Sequence, residues 1–289
     1  MAGWAAELVR DVSSHTLFVV STPIGNLSDI SLRALAVLHH VSTICCEDTR
    51  HARTLLQRYG IRTSTLALHE HNESSAAPRL IERLKQGESL ALISDAGTPL
   101  MSDPGERLVQ LAVDAEVRVV PVPGASSALA ALVGSGLAPH PCTLLGFLPR
   151  KGGGRREMVA LAARLPHTVV LFESPNRLVD TLRELDRATS LLSGSPRTVA
   201  VARELTKHYE EFRRGTLSDV AAYFEVTPPR GEIVIVLAGA PAVAVSEDEL
   251  KEVADALRAR GVTPREIVQR LIDAHGASRN LAYRLAHDP

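Results

Sequence analysis

Three stretches of this chain carry the residue types that hold a small polar ligand against backbone. Asp95 to Gly105 (DAGTPLMSDPG) puts two glycines and two prolines into eleven residues, a costly way to join two regular elements unless a ligand contact requires it. Gly97 and Gly105 let backbone approach a ligand or take positive φ, while Thr98, Ser102 and the carboxylates supply polar contacts. Ser21 to Asn26 (STPIGN) follows an apolar run, the position at which α/β proteins bind ligands. In Pro123 to Ser127 (PGASS), Ser126 and Ser127 are placed to cap a helix whose free N–H groups can hold a carboxylate. Neither GxGxxG nor GxxxxGK[ST] occurs, so dinucleotide-dehydrogenase and NTPase readings lose their main support.

A second set of residues is charged. Gly146 to Arg156 (GFLPRKGGGRR) places Arg150, Lys151, Arg155 and Arg156 around three glycines, and reads as an unpacked loop able to wrap a phosphate backbone. Arg50, Arg53, Arg177, Arg203 and Lys207 add basic charge near strand ends, among Glu47, Asp48, Glu173, Glu204, Glu210 and Glu211. The net charge is only −1, so nucleic acid would be met by local basic clusters rather than by a global field. Aromatic residues make up 3% of the chain, which favours recognition by shape and phosphate contacts over stacked aromatic platforms. The histidines lack metal-ligand spacing, and no metal is expected. The three cysteines form neither a disulfide framework nor a zinc pattern and read as small buried apolar residues.

The elements that must position these groups alternate. Thr16 to Ser21 reads as a buried strand, followed by a helix capped at Ser31 and the strand Ser42 to Cys46. A helix capped at Thr49 and closed by Gly60, a strand at 64–68, a helix at 75–86 and the strand 89–94 follow. A helix at 106–115 and the strand 117–122 complete the first half. This alternation implies a largely parallel sheet covered on both faces.

The second half is strand-rich, at 143–146, 168–173, 198–203, about 209–215 and 232–238, with helices near 127–135, 176–187 and 217–224, and reads as a mixed sheet. An Ala/Pro/Val linker then leads to three helical patterns separated by Gly261 and Gly276, as in a helix-turn-helix module. With 45% hydrophobic residues in 289, the chain can bury a full core. Its apolar runs break well short of the roughly 18 residues of a membrane span, and no basic region leads into an apolar stretch at the N-terminus; a cytoplasmic protein is expected.

Eight stretches resemble, in order, the ribosomal RNA small-subunit methyltransferase I group of the tetrapyrrole methylase superfamily. They are VVSTPIGNLSDISLRAL (19–35), CEDTRHARTLL (46–56), ISDAGTPLMSDPG (93–105), VPGASS (122–127), GFLPRK (146–151), FESPNR (172–177), ARELTK (202–207) and GEIVIVLAG (231–239). The resemblance implies a two-domain α/β fold, with a mostly parallel sheet in residues 14–122, a mixed sheet in 123–240 and a helical appendage at 245–289. It implies a homodimer that binds S-adenosylmethionine (SAM) in the cleft between the domains. The methyl group would pass to a cytidine 2′-oxygen in the decoding region of 16S rRNA, within the assembled small ribosomal subunit. Matching motif positions give Pro23, Asp95, Gly97, Thr98, Met101, Ser126, Ser127, Leu171 and Phe172 as cofactor contacts.

A ribose hydroxyl is a weak nucleophile, so a base, or a cation beside the developing alkoxide, would assist in-line displacement. Glu204, Lys207 and Glu47 are the expected catalytic groups, with Arg50, Arg53, Arg150, Lys151, Arg155 and Arg177 on RNA phosphates. Two alternatives remain at this point. A tetrapyrrole C-methyltransferase of cobalamin or sirohaem precursors would have a glycine-richer first loop and lack GFLPRK and ARELTK. A non-catalytic RNA-binding assembly factor need not bind SAM.

Overall fold

The computed structural model describes residues 12–193, 195–241, 247–275 and 277–287. Its first half alternates as the pattern requires: β1 (Thr16–Val20), α1 (Leu32–His40), β2 (Thr43–Cys46), α2 (Thr49–Arg58), β3 (Ser64–Ala67), α3 (Glu73–Lys85), β4 (Ser89–Ile93), α4 (Glu106–Asp114) and β5 (Arg118–Val122). The five strands pair in parallel in the order β3-β2-β4-β1-β5. Successive side chains point to opposite faces, so one run serves two cores. Phe18 and Val20 pack with Ile44 under α1 and α2, whereas Leu17 packs with Leu90 and Leu92 under α3 and α4.

Ser31 caps α1 as expected, its side chain accepting from the Ala34 N–H. The cap of α2 is Asp48 rather than Thr49, which is already helical. A carboxylate there accepts the Arg50 N–H at 2.8 Å and also meets the positive end of the helix dipole.

The second half contains α5 (Ser127–Ser135), β6 (Cys142–Phe147), α6 (Gly153–Arg164), β7 (Thr168–Glu173), α7 (Leu178–Ser193), β8 (Thr198–Arg203), β9 (Glu211–Thr216), α8 (Leu217–Val226) and β10 (Ile233–Leu237). The sheet order is β6-β7-β10-β8-β9, parallel only between β6 and β7, so the sheet is mixed. α5 lies on one face through Ala128, Ala131 and Leu132, and α6, α7 and α8 pack on the other around Leu171, Leu182 and Phe224.

The glycine-rich basic stretch is not an open loop. After Gly152 turns at φ +89, Gly153–Arg164 is helical, because REMVALAAR is rich in helix formers and buries Val159, Ala162 and Ala163. Cys45 and Cys46 are buried, their thiols pushed up to about 12 and about 11, first of all by desolvation. Cys142, by contrast, stands exposed at the start of β6.

Residues α9 (Glu247–Ala259), α10 (Pro264–His275) and α11 (Arg279–His287) surround a core of their own, formed by Leu250, Ala254, Ile267, Leu271, Ala282 and Leu285. Gly261 ends α9 at φ +74. Gly276 and linker residues 242–246 lie outside the described residues. Among the described residues no helix is long and apolar enough to cross a membrane.

Candidate active site

The strand order explains how three loops distant in sequence meet. β4, β1 and β5 are neighbours, and the chain crosses over β1 between β4 and β5, so their carboxyl ends open the crevice where such sheets bind ligands. Thr22 and Gly97 exchange backbone hydrogen bonds at 2.8 and 3.1 Å, tying the first loop to the second. Thr98 donates to the Ala125 carbonyl at 3.2 Å and its hydroxyl lies 2.9 Å from that of Ser21, which ties in the third. Gly97 sits at φ +80, and the non-glycine residues Leu100 and Ser102 also take positive φ, at +74 and +76. Such strain persists only where surrounding structure over-determines it, and it concentrates at sites that bind.

These loops form one wall of a cavity of about 420 Å³ whose other wall is the second sheet. Asp95, Gly97, Thr98, Met101, Ser126, Ser127 and Phe172 all line it. Ser126 caps α5 through the Leu129 N–H, leaving the first turn of that helix facing the cavity. Phe147 and Phe172 form an aromatic wall, with ring centroids 5.5 Å apart. Leu171 does not belong to this lining. It lies in phase with Val169 and is fully buried beneath α6, α7 and α8.

The lining is strongly one-signed. Asp95, Asp103 and Glu232 contribute carboxylates, and among the described residues no Lys, Arg or His lines this cavity. Glu173 reaches the rim by its backbone only, its buried carboxylate accepting from the Thr181 hydroxyl at 2.6 Å and pairing with Arg177 at 3.3 Å on the other face of the sheet. Asp103, missed as an individual site residue, has its carboxyl pushed up to about 6 by burial first and then by the charges of Glu47 and Asp95. Glu47 is likewise raised, chiefly by burial, and stands behind the lining rather than in it. In the unfolded chain Asp103 titrates near its ordinary ~3.9. The native state therefore holds this proton more tightly, and ionising it above pH 6 costs folding free energy, a cost that fades as pH falls towards 4. Asp103→Asn is expected to stabilise the protein at pH 8 by about 1–2 kcal/mol after solvent screening, and to have no effect at pH 4, as read by urea unfolding.

A second cavity of about 390 Å³ adjoins the first and shares Ile24, Asp95, Ala96 and Glu232 with it. Pro23 lines this second cavity, together with one face of α2 and Lys207. The Lys207 ammonium is 2.9 Å from Glu204 Oε1 and 3.4 Å from Glu232 Oε2. Burial alone would lower its pKa, but the Glu204 hydrogen bond and the two carboxylate charges outweigh this and hold it above the ordinary value. The hydrogen bond from Lys207 is the main reason that the Glu204 carboxyl is held low. Lys207 is thus a fixed cation, and Glu204, which lines neither cavity, orients it.

Glu204 and Thr206 take φ of +52 and +66, and the Thr206 hydroxyl accepts from the Asn26 N–H at 3.0 Å, closing the two halves on each other. A Cβ at Gly25 would stand 2.5 Å from Lys207 Cγ. Gly25→Ala should therefore displace Lys207 and lower catalytic turnover by about tenfold without weakening ligand binding in the first cavity. Comparing kcat with a separately measured Kd for the ligand of the first cavity tests this.

The basic residues divide. Arg53, Arg150, Lys151 and Arg156 are exposed. Arg50 is exposed too but forms a two-point ion pair with Asp48, which holds that carboxyl down to about 2. Arg155 is 7% exposed and bonds Glu184 at 2.8 Å, the Thr181 hydroxyl at 2.8 Å and the Pro149 carbonyl at 3.2 Å, so it braces α6 against α7 instead of facing a phosphate. Arg177 is similarly engaged, with Glu173 at 3.3 Å and the Leu148 carbonyl at 2.9 Å.

Residues 16–221 match the family of tetrapyrrole (corrin/porphyrin) methylases. A ribosomal RNA small subunit methyltransferase I from Streptococcus pyogenes serotype M1 is 41% identical over 282 residues, 96% of each chain. The chain belongs to the tetrapyrrole methylase family, in its ribosomal RNA small subunit methyltransferase I group. The protein of the same name from Mesorhizobium japonicum is 50% identical to this member over 79% of this chain and 76% of its own. Among solved structures, uroporphyrin-III C-methyltransferase from Thermus thermophilus superposes with a TM-score of 0.55 at 20% identity, covering 77% of this chain and 94% of that one. A diphthine synthase superposes at 0.56 with 15% identity, covering 77% and 90%. These likenesses show that the methylase fold is shared.

Proposed function

We propose that this methylase transfers a methyl group from SAM to a cytidine 2′-oxygen in the decoding region of 16S rRNA, acting on the assembled small ribosomal subunit. The observation that carries this reading is the 41% identity, across 96% of both chains, to a relative named for small-subunit ribosomal RNA methylation. A Thermus thermophilus uroporphyrin-III C-methyltransferase, a structural neighbour, was solved with S-adenosylhomocysteine.

The first cavity suits SAM on its own terms. Three carboxylates and no basic side chain fit a cation, the α5 N-terminus with Ser126 and Ser127 fits a carboxylate, and the Phe147/Phe172 wall fits an aromatic base. When bound, SAM supplies a methyl on a sulfonium that is its own leaving group. Lys207, facing the adjoining cavity, stabilises negative charge growing on a ribose oxygen, and Glu204 keeps it in place. Held above its ordinary pKa, Lys207 acts as a cation and not as the proton acceptor, and the hydroxyl proton leaves to solvent water as the oxygen takes the methyl and the S–CH3 bond breaks. Arg50, Arg53, Arg150 and Lys151 position phosphates.

The same reading takes residues 14–122 and 123–240 as two domains and 245–289 as an appendage. It also takes the protein as a cytoplasmic homodimer; Leu129 and Val133, exposed together on α5, support association. The test is methyl transfer from labelled SAM to small subunits lacking the modification, with naked rRNA in parallel and mass spectrometry to locate the label. Label on a cytidine 2′-oxygen supports the proposal. Intact SAM binding without transfer to either RNA would redirect it to tetrapyrroles or proteins.

A further inference from the structure

The second cavity is larger than presentation of one hydroxyl to Lys207 requires. Its floor and walls are fixed without a ligand: the Tyr59 hydroxyl donates to the Leu27 carbonyl at 2.7 Å, tying the first loop to α2, and Asn26 is bonded to Thr206 across the cleft. Its walls differ in character. Ile24, Leu27 and Leu55 are apolar, whereas His51 and Thr54, one helical turn apart on the same face of α2, bring polar atoms to the rim. Among the described residues neither the His51 ring nor the Thr54 hydroxyl has a side-chain hydrogen-bond partner, so both are free to pair with something in the cavity.

Charge around the cavity narrows the ligand. Lys207 is already paired with Glu204 and Glu232, so with Asp95 on the shared wall the lining still opposes a free anion inside, while the exposed Arg53, between His51 and Thr54 on α2, places positive charge outside. A neutral body with anionic ends satisfies both, and a nucleoside within a phosphate backbone is such a body. A macrocycle bearing several carboxylates would set them against Asp95 and Glu232. At about 390 Å³ the space is within the range of small-molecule pockets and admits a flat ring together with its sugar.

We propose that the second cavity takes one whole nucleoside extruded from the RNA, its base against Ile24, Leu27 and Leu55 and its edge read by His51 and Thr54. The proposal rests on the ribose-methylation reading and adds what that reading does not need, namely that the base leaves its stack and is recognised. Splayed bases hydrogen-bonded on their edges are the usual means of sequence-specific RNA recognition. Imidazole ring nitrogens and a hydroxyl can between them donate and accept, which suits the alternating donors and acceptors of a pyrimidine edge.

Thr54→Trp tests this, because Thr54 is exposed and a large ring there fills the cavity mouth without disturbing the core. The expected result is a single-turnover transfer rate to small subunits about 100-fold lower, with SAM affinity by calorimetry and the thermal midpoint unchanged. In a second arm, His51→Ala should narrow by about tenfold the preference for subunits carrying cytidine over uridine at the methylated position. Wild-type rates in Thr54→Trp with an unchanged preference in His51→Ala would overturn the proposal, as would loss of SAM binding in Thr54→Trp. Absence of transfer by the unaltered protein would overturn the ribose-methylation reading itself, and the nucleoside pocket with it.

Discussion

Lys207→Met is expected to lower single-turnover methyl transfer by about 10²–10³-fold, the loss typical when one preorganised donor to a developing oxyanion is removed. SAM affinity should change by less than about twofold, because Lys207 faces the second cavity and does not line the first. The reason for so large an effect is preorganisation. Lys207 is held by Glu204 and Glu232 before any substrate arrives, and Glu204 is fixed in turn by the Glu232 N–H at 3.1 Å. Methionine fills much the same volume without the charge, so the deficit reports electrostatics rather than a hole. Rapid-quench measurement of labelled methyl transfer, alongside calorimetric titration with SAM, provides both readouts. Equal losses in rate and in SAM affinity would place Lys207 in the donor site and refute the assignment.

The second large effect is on stability. Arg155→Ala should destabilise the protein by about 2–4 kcal/mol, because it removes a nearly buried guanidinium and leaves the Thr181 hydroxyl, the Glu184 carboxylate and the Pro149 carbonyl without it. The partners are not equally exposed, since Thr181 is fully buried while Glu184 reaches water and can recover some solvation. Arg150→Ala and Lys151→Ala, a few residues away on the surface, should leave stability within about 0.5 kcal/mol and weaken subunit binding in a salt-dependent way. Urea unfolding and filter binding at two ionic strengths separate the two behaviours. An unfolding free energy unchanged by Arg155→Ala would show that the brace contributes nothing.

The contrast between Arg155 and its neighbours shows where sequence reasoning ran out. Composition around GGGRR describes a loop, but the partner that buries Arg155 is Glu184, 29 residues further along, and local pattern carries no record of it. Features with local causes were legible: the caps at Ser31 and Ser126, the alternation of strand and helix, and the glycine- and proline-rich loops at strand ends. Which loops meet depends on β4, β1 and β5 being neighbours, and the convergence of Thr22, Gly97 and Ala125 follows from that order.

Leu171 shares the parity of Val169 along β7 and Phe172 has the opposite one, so period-two alternation alone sends only the Phe172 side chain into the cleft and leaves Leu171 its backbone to offer there. Glu47 was chosen for standing at a strand end, which fixes its distance along the sheet but not the direction of its side chain. Asp103 and Glu232 lacked any signal of their own, being acids made distinctive by the company of other acids.

That company has a bearing on turnover. On the proposed reading, methyl transfer removes the positive charge from sulfur while the three carboxylates of the first cavity stay where they are. The cavity that draws in the charged donor therefore has less hold on what the reaction leaves behind. Its acidity works as a ratchet, favouring arrival before the reaction and departure after it, with no moving part required.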